Sequence, residues 1–197
     1  MNLNEYQQQA LRTSGSGYDR IKNGCMGLIG ESGELVDIMK KHMFQSKADT
    51  PLPVDKLIEE MGDVMWYIAE TASGMGYSLR YALLASGKRI FRENVTVDQY
   101  AVTLVSTATS VYTDALVTHH EIVALESLCL LYDLLCAMCA SIGTTIEHVQ
   151  EVNIEKLKRR YPDGFDPERS MNRPEYQGDK DREEAEAFRR LLETENK

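Results

Sequence analysis

Two short segments carry acidic residues three positions apart: Glu31 and Glu34 in Gly30-Glu31-Ser32-Gly33-Glu34, and Glu60 and Asp63 in Glu59-Glu60-Met61-Gly62-Asp63. On an α-helix this spacing puts both side chains on one face, about 60° apart. Two such helices facing each other bring four carboxylates to one point. An uncompensated cluster of that kind repels itself, and hard, oxygen-seeking divalent cations relieve it. The setting of the acids strengthens the reading. Glu31 shares a helical stripe with Leu28, Leu35 and Ile38, and Glu60 lies beside Leu57, Met61 and Val64. A charge on an apolar stripe needs a partner, because burying it alone is costly. Glu31, Glu34 and Asp63 each follow a glycine, namely Gly30, Gly33 and Gly62. Each of these costs a helix about 1 kcal/mol relative to alanine, which makes sense where a second helix or a ligand approaches the backbone closely. Plain helix crossing, with the acids on a solvated face, is the alternative.

The elements that must position these acids are helical, since helical periodicity dominates and no hairpin signal occurs. The pattern predicts a first helix from Asn4, a possible N-cap, to Arg12, then a flexible Ser14-Gly15-Ser16-Gly17 stretch. Further helices are expected over Cys25 to Met43, Val54 to Gly74 and Ser78 to Arg92, with Pro51 and Pro53 in a loop between the first two. The second half echoes the first. Helices over Val102 to His119 and Leu125 to Ile142 stand where the acid-bearing pair stood, and apolar positions match at one constant offset: Ile58/Leu125, Met61/Leu128, Val64/Leu131, Ile68/Leu135, Met75/Ile142. Glu59/Glu126 and Gly76/Gly143 are identities at that offset. Residues 1–170 are thus expected to form one all-α domain, with pseudo-repeats 1–93 and 94–170, followed by a charged helical tail over 171–197.

The 197-residue chain is 43% hydrophobic and 27% charged, enough apolar surface for a sizeable core. Its net charge of −9 argues against a general nucleic-acid binder, which carries a basic face. A small anionic substrate remains compatible, because a metal can supply local positive charge. Cys25, Cys129, Cys136 and Cys139 sit in apolar company and suit reduced, buried thiols; Cys136 and Cys139 form a CxxC that no second pair completes. The polar N-terminus lacks a signal-peptide core, and no run is read as a membrane span, so a cytoplasmic protein with no membrane partner is expected. His42, His119, His120 and His148 show no ligand spacing.

The acidic blocks, Gly30 to Leu35 and Glu59 to Val64, resemble the ExxE…ExxD signature of the MazG-like all-α nucleotide pyrophosphatases. The segment Asn153-Ile154-Glu155-Lys156-Leu157-Lys158-Arg159-Arg160-Tyr161-Pro162-Asp163-Gly164-Phe165 resembles the end of that family's domain. The matching blocks cover most of residues 1–75 and 143–173. The resemblance implies an all-α helical bundle and an Mg-dependent pyrophosphohydrolase, with Mn as a substitute metal. Its substrate would be a nucleoside triphosphate, cut between the α and β phosphates to a monophosphate and pyrophosphate. Carried over, Glu31, Glu34, Glu60 and Asp63 are the metal ligands, and a carboxylate left unligated among them serves as the water's base.

Lys156 and one arginine would grip phosphate oxygens, with Asn153 and Tyr161 hydrogen-bonding nearby. Sequence does not choose between Arg159 and Arg160, though Arg160 is the candidate taken; cations at a helix C-terminus are also favoured by the dipole alone. Lys40 and Lys41 carry the same two readings, and Trp66 and Tyr67, one turn after Asp63, are read chiefly as core. The departure from the family is residues 80–142, which a single-copy member lacks. There Leu130 aligns with Asp63, Ser127 with Glu60, and Thr107 and Ser110 with Glu31 and Glu34, while Ser86 stands where the second half has Asn153. The losses are complementary, so one chain would mimic a dimer with one active site, and two such pseudo-dimeric chains could still pair as a homodimer. The rivals are a non-catalytic helical nucleotide-binding or interaction module and a di-metal carboxylate bundle. The last expects ExxH pairs, which the chain lacks.

Overall fold

The computed structural model describes residues 1–84, 94–166 and 168. Among them every regular element is helical: α1 Leu3–Ala10, α2 Arg20–Gln45, α3 Val54–Gly74, α4 Leu79–Ala82, α5 Val97–Tyr112, α6 Glu121–Ser141 and α7 Ile146–Arg160. A single 3₁₀ turn, Leu11–Thr13, follows α1, and a π turn, Thr113–Val117, follows α5. The fold is all-α, as the periodicity predicts.

Helix α3 matches its expected bounds, Val54 to Gly74, whereas other ends move for identifiable local reasons. The cap of α1 is Asn2, not Asn4: the Asn2 side chain accepts from Glu5 N while the Glu5 carboxylate accepts from Asn2 N. Asn4 instead accepts from the Arg80 backbone N–H at 3.1 Å. Helix α2 starts at Arg20 rather than Cys25, because Asp19 caps it through Lys22 N and its early glycines lie inside the helix. Helix α5 begins at Val97, behind a Thr96–Gln99 capping box, and gives way at Tyr112 to the π turn instead of running to His119. Helix α6 begins at Glu121 instead of Leu125. Of the helix expected over Ser78 to Arg92, α4 is the described part. Residues 85–93, and with them Ser86, lie outside the described residues, as does the tail over 171–197.

Helices α2 and α3 run antiparallel in close contact. Gly24 faces Thr71, Gly27 faces Tyr67 and Glu31 faces Asp63, one helix descending as the other rises. A Cβ on Gly24 would lie 2.3 Å from Thr71 Oγ1, and one on Gly27 would lie 2.1 Å from the Tyr67 ring. The sequence hint that glycines mark close approach holds at Gly62, where a Cβ would lie 2.9 Å from Asn153 Cβ; Gly24 and Gly27, which the hint did not include, show the same close approach. It does not hold at Gly30 and Gly33, whose added Cβ atoms would meet nothing within 4 Å. Helix α5 packs on α2 and α6, α7 packs on α3, and α1 lies across α3 and α7. The core they enclose includes Leu28, Leu35, Leu57, Met61, Met65, Leu104, Leu128 and Leu135, all fully buried. The four cysteines are free thiols, three buried and Cys136 half-buried.

Helix α6 differs from one expectation: by length and composition Glu121–Ser141 is apolar enough to cross a membrane. Half of its most apolar window is buried within the fold, against α5 and α3. Its apolar character is that of a helix covered on several sides.

The glycines give a paired test of this packing. Gly62→Ala is expected to lower stability by about 1–3 kcal/mol, because α7 must be displaced. Gly30→Ala, on an open helix face, should be neutral or stabilising by up to about 1 kcal/mol. Thermal or urea unfolding of the two variants reads the difference.

Candidate metal centre and adjoining cavity

Glu31 on α2 and Glu60 and Asp63 on α3 converge, with one carboxylate oxygen from each within 4.8 Å of the others. Leu28 and Leu35 turn Glu31 toward α3, and Leu57, Met61 and Val64 bury the face that carries Glu60 and Asp63. All three acids are half-buried, whereas Glu34 is exposed. Three of the four predicted acids thus meet. Glu34 sits further round α2, and it lines a separate groove of about 450 Å³ with Glu60, Lys41, His42 and Lys56.

Helix α7 supplies the counter-charge. Asn153 donates from Nδ2 to Asp63 Oδ1 at 3.1 Å, and its own Oδ1 accepts from the buried Tyr6 hydroxyl at 2.8 Å. Lys156 donates to Asp63 Oδ2 and pairs with Glu59 Oε1 at 2.9 Å. Gly62 makes room for this approach, because it faces Asn153 directly. Burial opposes the Lys156 ammonium, but the Asp63 and Glu59 carboxylates outweigh it and raise its pKa. Arg160 lines the same cavity as Asp63 and favours that carboxylate's charge; Arg159 is exposed and is not among the cavity's lining residues. Tyr161 is buried, with its ring 6.0 Å from that of Phe165. The four residues expected to bind substrate, Asn153, Lys156, Arg160 and Tyr161, therefore all lie against Asp63 or its cavity. Lys40 and Lys41 both pair with Asp37.

The electrostatics of the cluster are strained. Burial, then repulsion by Asp63 and Glu60, pushes the Glu31 carboxyl up to about 7. Burial, then repulsion by Asp63, pushes Glu60 up to about 7. Asp63 is also raised by burial, against the pull of Lys156. Three hard oxygen donors in this state fit a small divalent cation, which would relieve both the repulsion and the desolvation.

Glu31 and Asp63 stand at the edge of a cavity of about 200 Å³, whose walls include Tyr18, Trp66, Tyr67 and Tyr161. Trp66 donates from Nε1 to Ala10 O and Thr13 Oγ1, both at 3.1 Å, and its ring meets Tyr67 edge-on at 4.8 Å. Trp66 and Tyr67, read as core from sequence, are cavity walls. Asn23, Tyr18 and Phe165 also line the cavity; Tyr18 and Asn23 fall within residues 13–24, the loop that the sequence offers as a pocket wall without marking any single residue in it. Trp66 and Tyr67 were within reach of sequence logic, lying three and four residues beyond Asp63, but Tyr18 in a Gly/Ser stretch carries no such signal.

Residues 22–92 match the family model described as MazG nucleotide pyrophosphohydrolase domain, a stretch of somewhat over a third of the chain. The chain is also 43% identical over 49 residues to Gene 37 protein of Mycobacterium phage L5, a stretch covering 24% of this chain and 43% of that protein. The match thus spans less than half of that relative's length. No solved structure matches the chain.

The raised carboxyls set a pH dependence. Between the ordinary Glu value of 4.5 and about 7, the folded protein binds more protons at Glu31 and Glu60 than the unfolded chain does. Stability of the metal-free protein therefore falls as pH rises through this window. Melting in chelator should occur at lower temperature near about pH 8 than near about pH 5.5, and added Mg²⁺ or Mn²⁺ should raise it at the higher pH and little at the lower.

Proposed function

We propose that the protein is a Mg²⁺-dependent nucleoside triphosphate pyrophosphohydrolase that cleaves between the α and β phosphates, releasing a nucleoside monophosphate and pyrophosphate. The observation that carries this reading is the meeting of Glu31, Glu60 and Asp63 at the edge of an aromatic cavity, with Lys156 and Arg160 beside them. The match of residues 22–92 to the MazG nucleotide pyrophosphohydrolase model supports this class of chemistry. A cation held by these acids supplies positive charge to phosphate oxygens and acidifies water, and Mg²⁺, or Mn²⁺ in its place, suits an all-oxygen donor set.

The chain's own residues do the rest. Aromatic walls of Tyr18, Trp66, Tyr67 and Tyr161 accept the flat base and exclude water around it. Arg160 and Lys156 hold phosphate oxygens, Lys156 exchanging part of its pairing with Asp63 for the substrate. Glu34 lies outside the cluster but lines the same groove as Glu60, which leaves its carboxylate free to take the proton of the attacking water. Positioning and charge neutralisation account for most of the acceleration in phosphoryl chemistry of this kind.

One active site per chain is part of the proposal, built from two unequal halves. The helix pairs α2–α3 and α5–α6 end in matching turns. Gly76 and Gly143 both adopt positive φ, 84° and 76°, and Tyr77 N→Ala72 O and Thr144 N→Cys139 O both measure 2.9 Å. Ser78 and Thr145 then cap the following helices through Tyr81 N and His148 N. Where the first half has acids, the second has Thr107, Ser110, Ser127 and Leu130, and Ser127 bonds Asp114 instead. Half one thus supplies the carboxylates and half two supplies Asn153, Lys156 and Arg160.

Glu60→Gln should lower pyrophosphate release from a mixed nucleoside triphosphate panel by at least about a thousandfold, with helical circular dichroism intact. Retained turnover would refute the assignment. Calorimetric titration with Mn²⁺ should saturate one carboxylate centre per chain; two equivalent centres would exclude the asymmetric arrangement.

A further inference from the structure

Glu70 is a fully buried carboxylate that the reaction above does not use. It lies on α3 two turns beyond Asp63, with Trp66 and Tyr67 between them. Its partners all come from one short segment. Glu70 Oε1 accepts from Ser14 Oγ at 3.0 Å, Tyr18 OH at 3.1 Å and Arg20 Nε at 3.2 Å, and Oε2 accepts from an Arg20 terminal nitrogen at 2.7 Å. The Tyr18 hydroxyl also accepts from Gly15 N at 3.2 Å. Gly15 lies so close to the Tyr18 and Phe165 rings that a Cβ there would be 2.8 Å and 3.0 Å from them. The segment therefore closes on itself around one charge, and the ring that it presents, Tyr18, is a wall of the cavity beside Glu31 and Asp63.

A buried ion pair is poor evidence of a stability role, because desolvation offsets most of the attraction. Here four hydrogen bonds converge from a Gly/Ser-rich stretch with little apolar anchorage of its own. We propose that Glu70 is a positioning residue that locks segment 14–20 over the cavity, making Tyr18 one face of the subsite that stacks the substrate's base. This rests on the nucleotide reading of the cavity. The helix that carries Asp63 thus also holds Tyr18 at the same cavity, so base contact and metal contact are held to one rigid element.

Trp66, the chain's single tryptophan, lines the same cavity and reports its occupancy by fluorescence. Wild type, Glu70→Gln, Tyr18→Ala and the double variant are titrated with Mn²⁺ alone, and with a nucleoside triphosphate panel in Ca²⁺ to slow turnover. Loss of charged hydrogen bonds at Glu70 should weaken nucleotide binding and raise KM by about 10- to 100-fold. Mn²⁺ affinity and kcat should change less than about threefold. The double variant should be no worse than Tyr18→Ala, since both changes remove one wall. Amide exchange over residues 14–18 should rise in Glu70→Gln without a matching rise in α3. Unchanged nucleotide affinity, a fall in kcat alone, or additive losses would overturn the proposal while leaving the pyrophosphohydrolase reading intact. If Glu70→Gln does not fold, Ser14→Ala with Tyr18→Phe removes the loop's hydroxyl donors and leaves the Arg20 pair; an unchanged KM there overturns it equally. Wild type that binds none of the panel would remove the nucleotide reading, and this inference with it.

Discussion

Mutual repulsion among Glu31, Glu60 and Asp63, held within 4.8 Å in a half-buried crevice, is the constraint around which the molecule is arranged. Nothing in the α2–α3 pair itself neutralises it. The relief comes from α7, at the far end of the described chain: Lys156 and Asn153 bond Asp63, and Arg160 adds its charge from the cavity wall. That relief is partial, since Glu31 and Glu60 still sit near neutrality in their proton affinity. A bound cation would remove that remaining cost.

Bringing α7 so close requires a surface without side chains in the way, and that requirement explains the glycine usage better than helix propensity does. Gly62 admits Asn153, and Gly24 and Gly27 let α2 seat against Thr71 and Tyr67. The same close seating brings Glu31 opposite Asp63. Helix α1 then fixes Asn153 from behind through the Tyr6 hydroxyl, itself fully buried. The contacts that orient the carboxylates thus come from helices distant in sequence, which holds the cluster rigidly.

Much of this was legible in the sequence where local physics dominates. The bounds of α3, the acid spacing and the apolar stripes follow from periodicity. The start of α2 was misjudged, because Gly24 looks like a breaker until Thr71 is seen packed on it. Glu34 shows the limit of spacing arguments: three residues along a helix is near enough to share a face, yet only Glu31 turns inward. The aromatic cavity was less accessible still. Tyr18 comes from a loop, Phe165 from beyond α7, and their meeting is fixed by contacts such as Phe165 N with Arg12 O at 3.2 Å. Glu70 had no signature, because its partners cluster only after the loop has closed.

Charge is unevenly placed among the described helices, and the packing shows why one acidic cluster is easier to support than two. Helices α2 and α3 bring Glu31, Glu60 and Asp63 together, and the relief they receive comes from Lys156 and Arg160 on α7. Helix α5 instead buries Leu104, Thr107 and Ala108, and α6 buries Leu128, Leu131 and Leu135. Acids on those buried faces would add a second repelling group away from the cations of α7. Apolar packing on α5 and α6 therefore leaves the single cluster as the place where the fold's electrostatic cost is concentrated.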